Sequence, residues 1–116
     1  MRTYLLFPLL ITILFTTAAL AHHGWSSYDA NQTLTLTGVI EASGYEHPHG
    51  FIKLKTADKL WHAVLAPPSR MENRGLASDM LKPGTQATVV GYPHRSDAGE
   101  LRVERITIGG KTIELR

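Results

Sequence analysis

From residue 34 onward, apolar and polar positions alternate in short runs. Leu34, Leu36 and Ile40 fall on one side of a two-residue period, with Thr35 and Thr37 opposite, which predicts a half-buried first strand. Gly38 shares the apolar side, where a missing side chain permits a bend or a bulge. Ile52 and Leu54 alternate with Lys53 and Lys55 in a second strand over 51–56. Trp61, Ala63 and Leu65 do so in a third over 60–65. Pro67-Pro68 ends that strand, because proline cannot donate to a ladder. Ser69 and Glu72 have the spacing of a capping box for a short helix, with Gly75 as its C-terminal stop and Leu76 as the hydrophobic partner. A further helical turn around Asp79 to Leu81 stops at the turn signature Lys82-Pro83-Gly84. A fourth strand covers 85–92 and a fifth covers 101–108. The inward parity of the fifth switches between Val103 and Ile106, the mark of a bulge. Gly109-Gly110 is a two-residue hairpin into a last strand over 111–115.

Three strands, one short helix and two more strands is the order of a small OB-like Greek-key β-barrel, so the fold class is all-β with one short helix. The segment before it divides in two. Residues 1–21 open with Arg2, continue with an apolar stretch from Tyr4 to Phe15 and end Ala19-Leu20-Ala21. A basic start, a greasy centre and an Ala-x-Ala end describe a signal peptide. The apolar stretch is shorter than the roughly 20 residues that span a bilayer, and Pro8 interrupts it, so no stable membrane span is expected after removal of the signal. Residues 22–33 have no period and read as an extended N-terminal arm, which Trp25 and Tyr28 would pin to the barrel of residues 34–116. Cleavage after Ala21 makes the protein periplasmic or secreted.

Composition narrows the chemistry. The 116 residues include no Cys, which excludes disulfides, thiolate metal sites and thiol catalysis. A net charge of +2 is too small to imply a phosphate-binding surface by bulk electrostatics. Phe51 beside Lys53 and Lys55 is one aromatic where single-strand binding uses several, so no nucleic-acid partner is expected. No carboxylate pair or activated nucleophile is apparent, and an enzyme is the less favoured reading. Arg70, Arg74, Arg102 and Arg105 are expected to be solvated and paired with Glu72, Glu100 or Glu104, and Met71 and Met80 to pack the helix.

The six His are the unusual feature. Cleavage after Ala21 leaves His22 with a free α-amine and an imidazole Nδ1 that can chelate one metal ion, and both deprotonate near neutral pH. A third nitrogen completes a T-shaped set resembling the histidine brace of copper monooxygenases and exported copper carriers. Nitrogen-rich tetragonal sites favour Cu(II). The third nitrogen would come from His47 or His49, in one loop beside Pro48. His23 can add its ring or a deprotonated amide, and His94, between the fourth and fifth strands, can reach the same end of a barrel. His62 alternates with core positions and reads as a surface or supporting side chain. Cleavage after Ala19 would place His22 third, a geometry that binds Cu(II) without a brace. The expected function is copper carriage or sequestration, with a copper donor or acceptor protein of the envelope as partner. The rivals are a metal-free module binding a protein partner or small envelope ligand, and an envelope stress protein whose barrel takes cationic or lipidic ligands.

Several short motifs occur together: His22-His23-Gly24, Pro48-His49, Trp61, Arg74-Gly75, Lys82-Pro83-Gly84 and Gly91-Tyr92-Pro93. In this combination the chain resembles a family of small exported bacterial proteins classed as a domain of unknown function. In that family the loop reads Asn-Pro-His, so His49 is the matching residue and His47 stands where Asn is usual. The resemblance implies export and a compact β-barrel, and brings no activity with it.

Overall fold

The computed structural model describes residues 2–3 and 24–116. His22, His23 and the signal peptide, apart from residues 2 and 3, therefore lie outside the described residues. Six strands and one α-helix follow in the order β1 (Leu34–Gly44), β2 (Phe51–Lys55), β3 (Leu60–Val64), α1 (Pro68–Asn73), β4 (Gln86–Pro93), β5 (Glu100–Ile108) and β6 (Lys111–Glu114). Short 3₁₀ turns precede β1 at Trp25–Ser27 and β4 at Ser78–Leu81.

The strands are ordered β3-β2-β1-β4-β5-β6, and β3 also pairs with β5 in parallel, so five of them close into a barrel. The closing rungs are His62 with Glu100, Ala63 with Leu101 and Val64 with Arg102. Going round, β1-β2-β3-β5-β4 and back to β1 is the expected OB-like arrangement, with α1 between β3 and β4. β1 serves both halves by pairing first with β4 over Leu34 to Val39 and then with β2 from Val39 onward. Two features permit the change of partner. The register shifts between Ile40 and Ala42, and a Cβ on Gly38 would collide with the Lys55 carbonyl oxygen, so the bend requires glycine there.

Alternation fills the barrel as expected. Ile40, Ile52, Leu54, Ala63, Leu65, Leu101 and Ile106 are fully buried. The bulge in β5 falls at Glu104, because Val90 pairs with Arg105 and Gly91 with Val103. On the outer face, Thr37, Thr88, Thr107 and Thr112 form one rank across β1, β4, β5 and β6, with hydroxyl contacts of 2.9 Å and 2.8 Å in its outer pairs.

The helix departs from expectation at its start. Pro67 is the N-cap and Pro68 the first helical residue, so Ser69 lies inside the helix and no side chain caps it. Proline at the first position needs no hydrogen-bond partner and is already set at a helical φ. The C-terminus is as expected. Gly75 has φ +87°, its N–H donates to Glu72 O (3.0 Å), and Leu76 N–H donates to Met71 O (2.8 Å). That is a Schellman stop, with Met71 and Leu76 both buried. Arg74 donates to the carbonyls of Glu114 (2.9 Å) and Arg116 (3.0 Å), which blunts the outer edge of β6.

Candidate functional site

The described histidines lie on two loops and one strand. His47 and His49 lie in the loop between β1 and β2, His62 on the outer face of β3, and His94 at the start of the loop between β4 and β5. The outer face of β2 and β3, bounded by these two loops, is where OB-folds take ligands.

The β1–β2 loop is tied to the barrel end near α1. The Tyr45 hydroxyl donates to Leu76 O (2.6 Å). Gly50 N–H donates to Ala66 O (2.9 Å), and Leu65 N–H to Gly50 O (2.8 Å), so the β2–β3 ladder runs one bulged step past Phe51. A Cβ on Gly50 would strike the Met71 side chain, so Gly50 points inward. Alternation then puts His49 on the outer face with Phe51. His49 is half-buried and His47 exposed, with a cis peptide between His47 and Pro48.

The arm crosses the neighbouring strand. Tyr28 is buried and bridges His94, while Asp29 N–H donates to Pro93 O (2.9 Å) and Arg95 N–H to Ser27 O (3.0 Å). The Trp25 ring meets two guanidinium groups, 4.7 Å from Arg102 and 4.5 Å from Arg116. Tyr92 meets it edge-on at 5.9 Å between ring centroids. The expectation that Arg102 is solvated is overturned, for it is only 4% exposed. Trp25 covers it, and burial pulls the guanidinium below its ordinary pKa. Arg70 and Arg74 likewise bond to main-chain carbonyls of Leu115, Glu114 and Arg116. Arg105 pairs with Glu114 at 2.9 Å and with Glu104 at 3.7 Å.

His94 is committed to its own loop. Its Nδ1 accepts from the backbone N–H of Ser96 (3.1 Å) and of Asp97 (3.0 Å). An accepting Nδ1 puts the ring proton on Nε2, which lies 3.8 Å from Glu100 Oε2. A metal at Nε2 would require the proton on Nδ1, against two amide donors. The Tyr28 hydroxyl donates to the same Glu100 oxygen (2.7 Å), and burial together with that bond pushes its pKa well above the usual phenol range.

Register separates the two loops. Glu100, whose carbonyl accepts from His94 N–H, pairs with His62, whereas Gly50, the residue after His49, bonds to Ala66. Four residues along β3 is roughly 13 Å. Among the described residues no group of three His, Asp or Glu is placed to hold a metal ion. Sequence reasoning missed the partners of His62. Its ring stacks on Phe51 at 5.1 Å and 19°, and it borders a cleft of about 390 Å³ with Lys53, Leu60, Asp97, Gly99 and Glu100. Outward alternation of His62 and Lys53 was legible, but the parallel pairing that brings Glu100 alongside was not. A larger cleft of about 530 Å³ between the start of β4 and the end of β5 carries no titratable side chain.

No helix among the described residues is long and apolar enough to cross a membrane. The fold is similar to part of a chain in the crystal structure of TiaS in complex with a tRNA and ATP, with a TM-score of 0.53 and 18% identity over 70% of this chain. This chain spans 19% of that one's length, and the likeness is of fold alone. No curated protein matches it in sequence. The profile of the Family of unknown function (DUF6152) matches residues 11–102, and the chain belongs to that family.

Proposed function

We propose that the protein is exported and binds one Cu(II) for carriage or sequestration, through the amine and ring of His22 and the imidazole of His49. His23 and His47 are accessory, and His94, held by its loop, stays out of the set. The observation that carries this reading is the anchoring of Trp25 over Arg102. Arg102 pairs with Val64, Val64 with Phe51, and His49 is two residues from Phe51. Two strand spacings and two residues along a strand separate Arg102 from His49 by roughly 12 Å. Three residues of chain from Trp25 back to His22 span about 10 Å, and two imidazole side chains cover the remainder. The match between that separation and the span of three residues supports the reading.

Native mass spectrometry of the exported protein, apo and after one equivalent of Cu(II), tests the reading. The apo mass is expected to begin at His22 and the metal-loaded mass to show one copper. His22→Ala and His49→Ala should each weaken Cu(II) retention against a competing chelator by at least about tenfold, the loss already seen when only a residue supporting a metal ligand is removed. A chain beginning elsewhere, or affinity unchanged in both variants, overturns it. A donor or acceptor protein in the envelope follows from carriage.

A further inference from the structure

We infer that the cleft where Lys53, Leu60 and His62 on β2–β3 meet Asp97, Gly99 and Glu100 of the β4–β5 loop is a binding site for a polyhydroxylated, carbohydrate-class ligand. It is distinct from the copper site proposed above and does not depend on it.

The cleft is built in advance of any ligand. Its loop wall is fixed by His62 N–H to Gly99 O (2.8 Å), Lys59 Nζ to Ala98 O (2.6 Å), Gly99 N–H to Asp97 Oδ1 (2.9 Å) and the His94 bonds to Ser96 and Asp97. Lys59 is held in turn, with its ammonium 4.1 Å from the centre of the Trp61 ring. A ligand entering such a cleft orders little of the protein, so modest contacts suffice. A volume of about 390 Å³ lies at the small end of the range for small-molecule sites.

The polar groups discriminate between ligand classes. Among the described residues, the Lys53 ammonium and both His62 ring nitrogens make no hydrogen bond. One carboxylate oxygen of Asp97 is already used by Gly99 and one of Glu100 by Tyr28, so each of these lining residues keeps a second oxygen able to accept. Burial and Lys53 push the His62 pKa below 6.5, so its ring offers one donor and one acceptor. An inorganic cation is opposed by Lys53. A phosphate, free or in a nucleic acid, is opposed by Asp97 and Glu100. Hydroxyl groups both donate and accept, and neighbouring hydroxyls satisfy ammonium, imidazole and carboxylate together. The His62 ring, backed by its stack on Phe51, brings one ring to the cleft on which the C–H face of a sugar can pack, and Leu60, 43% exposed, adds an apolar rim.

The test is a titration of ¹⁵N-labelled protein, stripped of metal by a chelator, with maltotriose, with triacetylchitotriose and, separately, with glycine. One of the two saccharides is expected to give saturable amide shifts confined to residues 53, 60–62 and 97–100, with Kd in the millimolar range. His62→Ala and Lys53→Met should each weaken that binding at least about fivefold, the loss of one hydrogen bond to an uncharged partner. Unchanged amide shifts elsewhere will show that both variants fold. Absence of saturable shifts with both saccharides overturns the inference, as do shifts that survive both substitutions. Equal shifts with glycine overturn it in favour of a zwitterion bridging Lys53 and the carboxylates. Because the protein is metal-free, failure of the copper reading leaves these outcomes unaffected.

Discussion

Trp25→Ala is the most informative single change, because Trp25 joins the arm to the barrel. Its ring faces the buried Arg102 at 4.7 Å and the half-exposed Arg116 at 4.5 Å. A cation–π contact is worth about 2 kcal/mol when desolvated and about 0.5–1 kcal/mol when exposed. The edge-on contact with Tyr92 adds about 0.5–1.5 kcal/mol. The total is about 3–4.5 kcal/mol, within the range of roughly 3–5 kcal/mol seen on truncating a packed Trp. The arm can instead detach while the barrel stays folded, and the loss of global stability is then capped at the free energy of docking. Urea unfolding followed by Tyr and Trp fluorescence separates these cases. A cooperative loss of about 3 kcal/mol lowers the midpoint by about 1–3 M for m-values typical of small domains. Arm detachment leaves the midpoint within about 0.5 M but raises amide exchange at Ser27, Tyr28 and Asp29. A double-mutant cycle with Arg116→Ala isolates the exposed cation–π contact, with a coupling of about 0.5–1 kcal/mol. A midpoint unchanged together with unchanged exchange would refute the role of Trp25 as an anchor.

Gly91→Ala is expected to cost about 3 kcal/mol, the upper end for overpacking, since its Cβ would meet the Arg102 carbonyl group at the β4–β5 rung. Gly24→Ala, with nothing near its Cβ, should stay within about 0.5 kcal/mol and serves as the control in the same urea series. His62 is held below its ordinary pKa of 6.5 by burial and by Lys53. The unfolded chain therefore takes up that proton first, so the stabilisation is full above the unfolded value and is lost as pH falls through the lower folded one. The urea midpoint should drop between about pH 7 and about pH 5, and His62→Gln should flatten part of that drop. An equal drop in the variant would assign the pH dependence to other groups.

Period-two alternation was enough to locate five of the strands within a residue or so of each end, because one face of each is buried and a slip of one residue would reverse it. The β5 bulge was legible for the same reason, since the inward parity of Val103 and Ile106 cannot be met by a regular strand. The helix start was not, because two rules competed. Ser69 and Glu72 have capping spacing, but Pro68 fits the first helical turn and starts the helix before the serine can cap it. The burial of Arg102 was hidden for a different reason. Nothing adjacent in sequence covers it, and its cover comes from Trp25, which is remote in the chain. Long-range pairing also withheld the cleft at His62, whose acidic wall arrives only with the parallel β3–β5 rungs. For the histidine loop, sequence supplied position and alternation, and the structure added the distance across strands.

The described histidines thus divide by what their surroundings ask of them. His94 spends Nδ1 on the amides of Ser96 and Asp97, so it builds the β4–β5 loop, and the rigidity of that loop forms the cleft beside His62. At the other end of β3, the β1–β2 loop carries His47 and His49, two strand spacings from the Arg102 on which Trp25 is fixed. The two ends of one barrel face therefore offer different chemistry, carboxylates with one ammonium at the first and imidazoles near an anchored arm at the second. If both assignments hold, the sites lie roughly 13 Å apart along β3 with no shared side chain, and substitutions should not cross over. His49→Ala should lose copper and keep the saccharide shifts, whereas Lys53→Met should do the reverse. Loss of both ligands in either variant would mean a single site whose parts are coupled through β3, and the division argued from the His94 hydrogen bonds would fall with it.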